Sequence, residues 1–299
     1  MAIYNLNGGQ LGAVYDMSGT RLSQAYDLRG NPLIPSGDGV DLTLMAYNVG
    51  QWYDGSHSAM PANYYPQYSQ MHRKIMSDHS PDIAAFVEYL DPVVTGHSVD
   101  EMIGEYFTDS ENRGNSHIAM RKAIFTRGLT IGETTLVNHA PIETIPWCYL
   151  RTSVVVNGHT VHIFIVHYYT AQDPIEIQYR KQQADEVLNI VSDLQYYIVL
   201  GDFNVICTSV NDADYTNIIK PYLDMGCYVA NCTPAAGFNY TWFGGSDFVS
   251  GRKDPRDNII TSPNIIMRRA YRDMTKDAVC TQLGTRIDHV PLIAEVTVY

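Results

Sequence analysis

Positive charge is the scarcest property of this sequence. Only 20 of its 299 residues are Lys or Arg, against 32 Asp or Glu, so the formal net charge is −12. Proteins that coat DNA irrespective of its sequence need many Lys and Arg side chains, because these displace the counterions around the phosphates. The composition therefore excludes a broad DNA-coating surface, but it is compatible with local binding of a single phosphodiester.

Long apolar segments and patterned cysteines are also missing. No stretch approaches the roughly 18 apolar residues of a membrane span, and the longest, such as residues 161–166, have the length of a strand. The N-terminal segment MAIYNLNGGQ carries neither a basic start nor an apolar run, so we expect no signal peptide. The five cysteines form no CxxC pair and no zinc-type spacing, which favours free thiols in a reducing compartment. These absences predict a cytoplasmic or virion-associated protein without an integral membrane segment.

Apolar material, in contrast, is plentiful. Hydrophobic residues make up 45% of the chain and charged residues only 17%, which excludes a disordered linker protein. The length suits either two domains or one large α/β unit of about 250 residues. Residues 35–39, with the sequence PSGDG, form a flexible junction. We therefore predict a short extension over residues 1–38 and one main domain over residues 39–299.

The predicted extension contains a tandem repeat with the pattern Y-D-x-x-G-x-x-L. Its matching positions are Tyr15 and Tyr26, Asp16 and Asp27, Gly19 and Gly30, and Leu22 and Leu33. Turn-forming residues in the middle of each unit predict two small β-hairpins. Because two hairpins bury little surface by themselves, we expect them to pack on the main domain, on a second copy of the chain or on a partner.

The main domain shows an alternation of strand and helix patterns. Helical spacing of apolar residues occurs at residues 68–75, 176–194 and 215–222. Asn157 and Gly158, between two apolar runs, predict a two-residue hairpin turn. The predicted strands cover residues 41–47, 83–87, 123–126, 134–137, 153–156, 161–166, 197–201, 258–261 and 292–298. This alternation predicts an α/β fold in which sheets pack between helical layers.

Single polar residues stand where these apolar runs end or begin. They are Asn48, Glu88, His167, Asp202 with Asn204, Asp257, and Asp288 with His289. If the strand ends share one edge, these side chains converge on a polar cleft. Carboxylates such as Glu88 and Asp202 suit Mg²⁺ or Mn²⁺ rather than zinc. A histidine beside acids, such as His289, suits a base with an orienting partner, so the set predicts metal-assisted attack of water on a phosphorus ester.

Several segments give the chain a resemblance to the endonuclease/exonuclease/phosphatase superfamily, the DNase I-like metal-dependent phosphoesterases. In the order that the family has, they are LMAYNVG, DIAAFVEYLDP, FIVHYYT, YIVLGDFNV, RDNIITS and TRIDHVPLIAEV. The resemblance spans residues 41–299, and GDFN followed by a late DH-x-P is its most specific part. It implies a four-layer α/β sandwich, in which two mixed β-sheets lie face to face with helices outside.

The resemblance also implies a role for each strand-end residue. Glu88 resembles the principal metal ligand, assisted by Asn48, and Asp288 resembles a neighbouring metal-linked acid. Asp202 and Asn204 resemble the pair that positions or deprotonates the nucleophilic water and touches the phosphate. The number of metal ions stays open, because the first motif has a glycine where some members carry a further acid.

The imidazoles and a strand arginine complete the implied site. His167 resembles the residue that contacts the phosphate, and Arg151 is a candidate phosphate clamp. His289 resembles the terminal histidine of the family and Asp257 the carboxylate that supports it. The general base stays open between Asp202 and His289. The basic cluster at positions 252, 253 and 256 is predicted to be a solvated charge run.

We therefore expect a Mg²⁺- or Mn²⁺-dependent phosphodiesterase, in the first place a DNA or RNA nuclease. A lipid or inositol phosphoesterase is the alternative, since few basic residues also suit a small headgroup, and residues 51–66 offer its one candidate apolar rim. The second class is a virion-associated structural or interaction protein, because the tandem repeats resemble short N-terminal repeats of some phage and prophage virion proteins. Residues 1–38 would then serve in particle attachment or in formation of a homo-oligomer.

Overall fold

The computed structural model describes residues 38–49, 65–89, 103–113, 121–139, 147–169, 174–243, 253–283 and 289–299. The predicted repeats at residues 1–37 and most of the predicted rim, at residues 51–64, lie outside these ranges, as do Arg252 and Asp288. What we predicted for them, including the boundary after residue 38, stays a prediction. None of the helices in the described ranges is both long enough and apolar enough to cross a membrane.

The described part of the chain contains fourteen strands and four α-helices. The strands are β1 (Val40–Asn48), β2 (Ile83–Val87), β3 (Asp109–Arg113), β4 (Lys122–Thr126), β5 (Thr135–Asn138), β6 (Cys148–Val156), β7 (His159–His167), β8 (Tyr197–Asp202), β9 (Tyr228–Val229), β10 (Trp242–Phe243), β11 (Lys253–Asp254), β12 (Asp257–Thr261), β13 (Ile265–Arg272) and β14 (Leu292–Val298). The helices are α1 (Tyr65–His79), α2 (Pro174–Val191), α3 (Lys220–Asp224) and α4 (Thr275–Leu283). A π-helical turn, Tyr215–Ile219, leads into α3.

Twelve of these strands form two mixed six-stranded sheets within the described ranges. The first has the order β13-β14-β1-β2-β4-β3, in which β1 and β2 are parallel and the other neighbours are antiparallel. The second has the order β5-β6-β7-β8-β12-β9, in which β7 and β8 are the parallel pair. The short strands β10 and β11 pair antiparallel with each other.

The central core lies between the two sheets, and side-chain alternation explains why. On β1, Leu44 and Ala46 belong to this core, whereas Met45 and Tyr47 point to the opposite face of the first sheet. On β7, Ile163 and Ile165 face the central core in the same way, while Phe164 and Val166 belong to a second cluster on the outer face. Because successive side chains alternate between faces, strands that are apolar on both faces need cover on both sides.

Helices provide that outer cover. Met71 and Ile75 of α1 pack into the cluster on the outer face of the first sheet. Val187 and Val191 of α2 pack into the cluster on the outer face of the second sheet, together with Tyr222 of α3. The layers therefore run helix, sheet, sheet, helix, and the predicted four-layer α/β sandwich is confirmed.

Two elements that the sequence patterns did not predict are edge strands. The strand β3 is polar throughout (DSENR), and β13 carries several arginines and has an irregular register between Met267 and Arg269. Edge strands pair on one side only and tolerate polar side chains and bulges, so neither shows the apolar pattern that identified the central strands. The predicted hairpin at Asn157 and Gly158 is present: both residues have positive φ, and Val156 pairs with His159 across the turn.

The topology brings several strand ends to one edge of the sandwich. The parallel strands β1 and β2 end side by side, with Asn48 opposite Val87, the residue before Glu88. In the second sheet His167 pairs with Asp202 at the ends of the parallel strands β7 and β8. The antiparallel strand β12 begins at this same edge, since Asp257 pairs with Asp202. Each sheet thus contributes polar residues to a single cleft.

Candidate active site

The structure gathers seven of the nine predicted site residues at this edge. Asn48, Glu88, His167, Asp202, Asn204, Asp257 and His289 are all buried there, with at most 4% of any of them exposed. Asp288 lies outside the described residues. Arg151 is not brought to the cluster: its guanidinium lies 5.6 Å from the ring of Phe164, which belongs to the outer face of the second sheet. The predicted phosphate clamp is therefore not part of the gathered site.

Asn48 joins the two sheets across the cleft. Its amide nitrogen Nδ2 donates to Glu88 Oε1 and to Asp202 Oδ2, at 3.0 Å each. Both acceptors are carboxylate oxygens, so the amide nitrogen rather than the amide oxygen has to face them. One amide thus holds the acid that follows β2 close to the acid that ends β8.

His167 faces the same two carboxylates. Its Nε2 lies 3.7 Å from Glu88 Oε1 and 3.7 Å from Asp202 Oδ2. The buried indole of Trp147 packs against the imidazole edge-on, with ring centroids 5.7 Å apart and an interplanar angle of 78°. This contact fixes the plane of the imidazole, since edge-to-face ring pairs have a preferred geometry.

His289 and Asp257 form a hydrogen-bonded pair beside Asp202. The distance from His289 Nδ1 to Asp257 Oδ2 is 2.7 Å, and His289 Nε2 lies 3.5 Å from Asp202 Oδ2. A carboxylate can only accept, so Nδ1 carries the proton in this bond. The other ring nitrogen, Nε2, is thereby the one directed at the cleft, and ligand atoms of His289, Asp257 and Asp202 all lie within 4.8 Å of one another.

Several residues of the site adopt unusual backbone conformations. Glu88 has φ of 55° and Asn204 has φ of 48°, in the left-handed region that side chains other than glycine rarely adopt. Gly201 has φ of 132°, and a Cβ there would clash with the carbonyl oxygen of Val166 on β7. The missing side chain therefore lets β8 approach β7 closely, which sets Asp202 beside His167. Such strain persists only where the surrounding structure enforces it.

Thr241 hydrogen-bonds the backbone beside both members of the histidine–aspartate pair. Sequence patterns did not predict this residue. Its hydroxyl oxygen accepts a hydrogen bond from the backbone nitrogen of Asp257 at 2.9 Å. Its carbonyl oxygen accepts one from the backbone nitrogen of Val290, also at 2.9 Å. Val290 follows His289 directly, so one fully buried threonine sets the spacing between the two members of the pair.

A buried lysine accompanies the carboxylates, and it too went unpredicted. Lys122 opens β4 and pairs with Val87, the residue before Glu88. Its Nζ lies 3.6 Å from the thiol of Cys148. Burial lowers the pKa of Lys122, while Cys148 and the negative charge of Glu88 act in the opposite direction. Lys122 thus places a buried amine beside the strand that leads to Glu88.

The basic run before β12 differs from its prediction. Arg256 was expected in a solvated charge run, but it is only 6% exposed and its guanidinium donates to Asn204 Oδ1 at 2.9 Å. The solvated interpretation is therefore wrong for Arg256. The segment is drawn inward because the neighbouring strand β11 pairs with β10, and Thr241 N donates to the carbonyl oxygen of Asp254.

The cluster fits a divalent cation by the chemistry of its donors. Glu88 and Asp202 supply carboxylate oxygens, the ligand type that Mg²⁺ and Mn²⁺ prefer, while Asn48 turns its amide nitrogen toward them. Among the described residues, Asp257 Oδ1 is buried without a hydrogen-bond partner, so the cluster has acceptor capacity to spare. Buried carboxylates this close together need compensating positive charge, and a cation would supply it.

Comparison with solved structures identifies the fold. D. rerio TDP2 in complex with a single-strand DNA product matches with a TM-score of 0.61 and 14% identity, over 86% of this chain and 98% of that one. The human Nocturnin catalytic domain with bound sulfate matches at 0.62 and 14%, over 87% and 96%. The 3′ phosphatase NExo from Neisseria, bound to a product DNA hairpin, matches at 0.59 and 16%, over 85% and 98%.

No family model matches the chain, and no curated protein sequence matches it significantly. The similarity is therefore one of structure, at identities that show the fold alone. That fold is the DNase I-like α/β sandwich, as the sequence motifs predicted.

Proposed function

We propose that the protein is a metal-dependent phosphoric ester hydrolase and, more specifically, a phosphodiesterase that acts as a nuclease. The observation that carries the proposal is the pairing of His289 with Asp257, with His289 Nε2 directed at Asp202 beside Asn48 and Glu88. Both a base and a set of oxygen ligands thus face one cleft. Two of the similar structures hold DNA products, which supports nucleic acid as the substrate class.

His289 is assigned the proton-accepting role. Because Nδ1 donates its proton to Asp257, the neutral ring carries its lone pair on Nε2, where it can accept a proton from water. Asp202 is less suited to accept that proton, because both of its carboxylate oxygens already accept hydrogen bonds. Oδ1 accepts from Asn204 N at 2.8 Å, and Oδ2 accepts from Asn48 Nδ2. Asp202 instead holds the attacking water next to Nε2. Asp257 stabilises the imidazolium that results.

The other residues act on the phosphate. His167 Nε2 and the amide of Asn204 would contact phosphate oxygens, where charge develops in the transition state. Glu88 and Asp202 would hold a Mg²⁺ or Mn²⁺ ion through their carboxylates, and Asn48 would join them through its amide oxygen rather than the nitrogen that now donates to them. When bound, that ion would polarise the phosphorus ester and neutralise charge on its oxygens.

A substrate panel tests the proposal. Linear duplex DNA, single-stranded DNA, RNA and bis-p-nitrophenyl phosphate are incubated with Mg²⁺, with Mn²⁺ and with EDTA. We expect metal-dependent cleavage that is lost in His289→Ala and Asp202→Ala. The matched control is His159→Ala, which removes an imidazole stacked on Tyr196 at the far end of β7 and should leave cleavage intact. Cleavage that survives in His289→Ala would contradict the mechanism.

A lipid or inositol phosphoesterase is the second candidate within the same chemistry. The net charge of −12 and the 20 basic residues favour a small headgroup over a long polyanion. Sphingomyelin liposomes and an inositol polyphosphate added to the panel distinguish the two. Turnover of these in the absence of nucleic acid cleavage would replace the nuclease assignment.

The extension at residues 1–38 is proposed to attach the domain to a particle or to a second copy of the chain. Only its tandem repeats support this. Deletion of these residues, followed by mass measurement in solution by light scattering, tests it. An unchanged mass, together with unchanged binding to virion particles, would contradict an attachment role.

A further inference from the structure

Arg256 occupies a place in the site that the proposed chemistry does not use. It directly precedes Asp257, and its carbonyl oxygen accepts a hydrogen bond from the backbone nitrogen of Phe203 at 2.9 Å. Its guanidinium donates from Nη1 to Asn204 Oδ1 at 2.9 Å and from Nη2 to Asp254 Oδ2 at 3.5 Å. Backbone and side chain of one residue therefore bind the turn that follows Asp202.

Arg256 fixes which way the amide of Asn204 faces. The oxygen Oδ1 accepts from Arg256, and the nitrogen Nδ2 donates to the carbonyl oxygen of Tyr168 at 2.8 Å. A guanidinium only donates and a carbonyl only accepts, so a flipped amide would face two unfavourable contacts. The two partners thus determine the orientation of this amide: Arg256 holds its oxygen, and the carbonyl oxygen of Tyr168 holds its nitrogen.

The buried charge of Arg256 indicates that this side chain does more than fill space. Burying a guanidinium is unfavourable unless it is paired, and an apolar side chain of similar size would fill the same space without that requirement. The partner is Asp254, whose side chain is 3% exposed. The buried guanidinium therefore pairs with Asp254, and it also donates a hydrogen bond to the amide oxygen of Asn204.

Asn204 itself needs external support. Its φ of 48° is unfavourable for a residue with a side chain. Three hydrogen bonds hold it in place: the amide donates one to Tyr168 O and accepts one from Arg256, and the backbone nitrogen donates one to Asp202 Oδ1. Without Arg256 the amide would lose the contact that links it to the segment carrying Asp257.

We propose that Arg256 is a positioning residue that acts through Asn204. It holds the Asn204 amide in register with Asp202 and Asp257, so that the remaining N–H of Nδ2 is presented to a phosphate oxygen in the transition state. This inference rests on the proposed function. Because a misplaced donor weakens transition-state binding more than ground-state binding, loss of Arg256 lowers kcat more than it raises KM.

A double-mutant cycle tests this assignment. Arg256→Met, Arg256→Lys, Asn204→Ala and the double variant Arg256→Met/Asn204→Ala are assayed with bis-p-nitrophenyl phosphate and the metal that the wild type uses. We expect Arg256→Met to lower kcat roughly ten- to a hundredfold, the range for a displaced catalytic contact. KM should change far less. Arg256→Lys, which keeps one donor, should recover part of the loss.

The decisive result is the double variant. If Arg256 acts through Asn204, the double variant has the kcat of Asn204→Ala alone, because the amide that Arg256 positions is already gone. Losses that multiply would overturn the inference and leave Arg256 with an independent structural role. Thermal unfolding of every variant identifies any that fail to fold, and Arg256→Lys then carries the same cycle.

Failure of the proposed function gives a different pattern. If the wild type cleaves no phosphodiester with any metal, both the function and this inference are overturned. If the wild type cleaves and Arg256→Met equals it in kcat, only the inference is overturned.

Discussion

His289 Nδ1 lies 2.7 Å from Asp257 Oδ2, and both groups are buried. The two residues come from segments in different sheets: Asp257 opens β12, and His289 lies just before β14. Their hydrogen bond therefore joins the sheets across the cleft, as the bond from Asn48 to Asp202 does. The chemistry proposed for the site depends on the tautomer that this bond selects.

Asp257→Asn tests that dependence. The amide nitrogen of asparagine can donate to Nδ1, which would move the ring proton to Nε2 and remove the lone pair that faces Asp202. We expect kcat to fall by roughly 10³- to 10⁴-fold, as for the corresponding change in hydrolytic triads, with little change in folding. Steady-state kinetics and circular dichroism measure the two effects. Asp224→Asn, at an exposed ion pair with Lys220, is the control; an active Asp257→Asn enzyme would exclude the tautomer argument.

Thr241→Val removes one hydroxyl and keeps the shape of the side chain. The backbone N–H of Asp257 then loses its acceptor in a buried place, which costs about 1–3 kcal/mol. We expect urea unfolding to show that loss, and kcat to fall because the histidine–aspartate spacing is no longer held. Thr241→Ser should retain both properties. Thr160→Val, at an exposed position on β7, is the control, and equal stability of the two valine variants would contradict the role assigned to Thr241.

Gly201→Ala tests the close approach of β8 to β7. Its φ of 132° is unfavourable for alanine, and the added Cβ would meet the carbonyl oxygen of Val166. We expect a destabilisation well above about 1 kcal/mol, together with loss of activity as Asp202 moves away from His167. Gly104→Ala serves as the control, because nothing lies within 4 Å of its Cβ position. Similar unfolding midpoints for the two variants would show that the strands can move apart freely.

The sequence was informative where one residue interrupts a buried strand pattern. Asn48, Glu88, His167 and Asp202 each follow an apolar run, and parallel neighbours end at the same edge, so their convergence could be predicted. The same logic located Asp257, because the strand that it opens is apolar. These residues carry a local signal that does not depend on knowing the tertiary structure.

The supporting residues carry no such signal. Thr241 and Arg256 lie next to short strands of two residues each, whose pairing is fixed only when the sheets have assembled. In the sequence, Arg256 stands among other charges, and charged residues are usually solvated. Lys122 precedes an apolar run and would be assigned to the surface for the same reason. Their burial is a product of tertiary contacts, which local patterns do not encode.

His72 provides a prediction about pH and stability. It is buried on α1, and burial together with the nearby Lys276 lowers its pKa from 6.5 to about 3. The folded protein therefore keeps His72 neutral, whereas the unfolded chain takes up a proton below about pH 6.5. Its contribution to stability is present above pH 6.5 and is lost as the pH falls toward 3. Between pH 7 and pH 5 the loss amounts to roughly 2 kcal/mol.

His72→Gln should remove this dependence. The variant cannot take up the proton in the unfolded state, so its free energy of unfolding should decline less than that of the wild type between pH 7 and pH 5. Urea unfolding at several pH values measures the difference. The control is His159→Gln, at a half-buried histidine whose ring stacks on Tyr196. Parallel pH profiles for the wild type and His72→Gln would contradict the assignment.

Metal binding should be measurable without any substrate, because a ligand that binds only the folded state raises its stability. At a hundred times its Kd, a divalent cation adds about 2.7 kcal/mol. We expect Mg²⁺ or Mn²⁺ to raise the unfolding temperature of the wild type, EDTA to reverse the rise, and Glu88→Gln to abolish most of it. Glu295→Gln, on β14 beside Arg269, should behave as the wild type. A full metal-induced shift in Glu88→Gln would mean that the cation binds elsewhere.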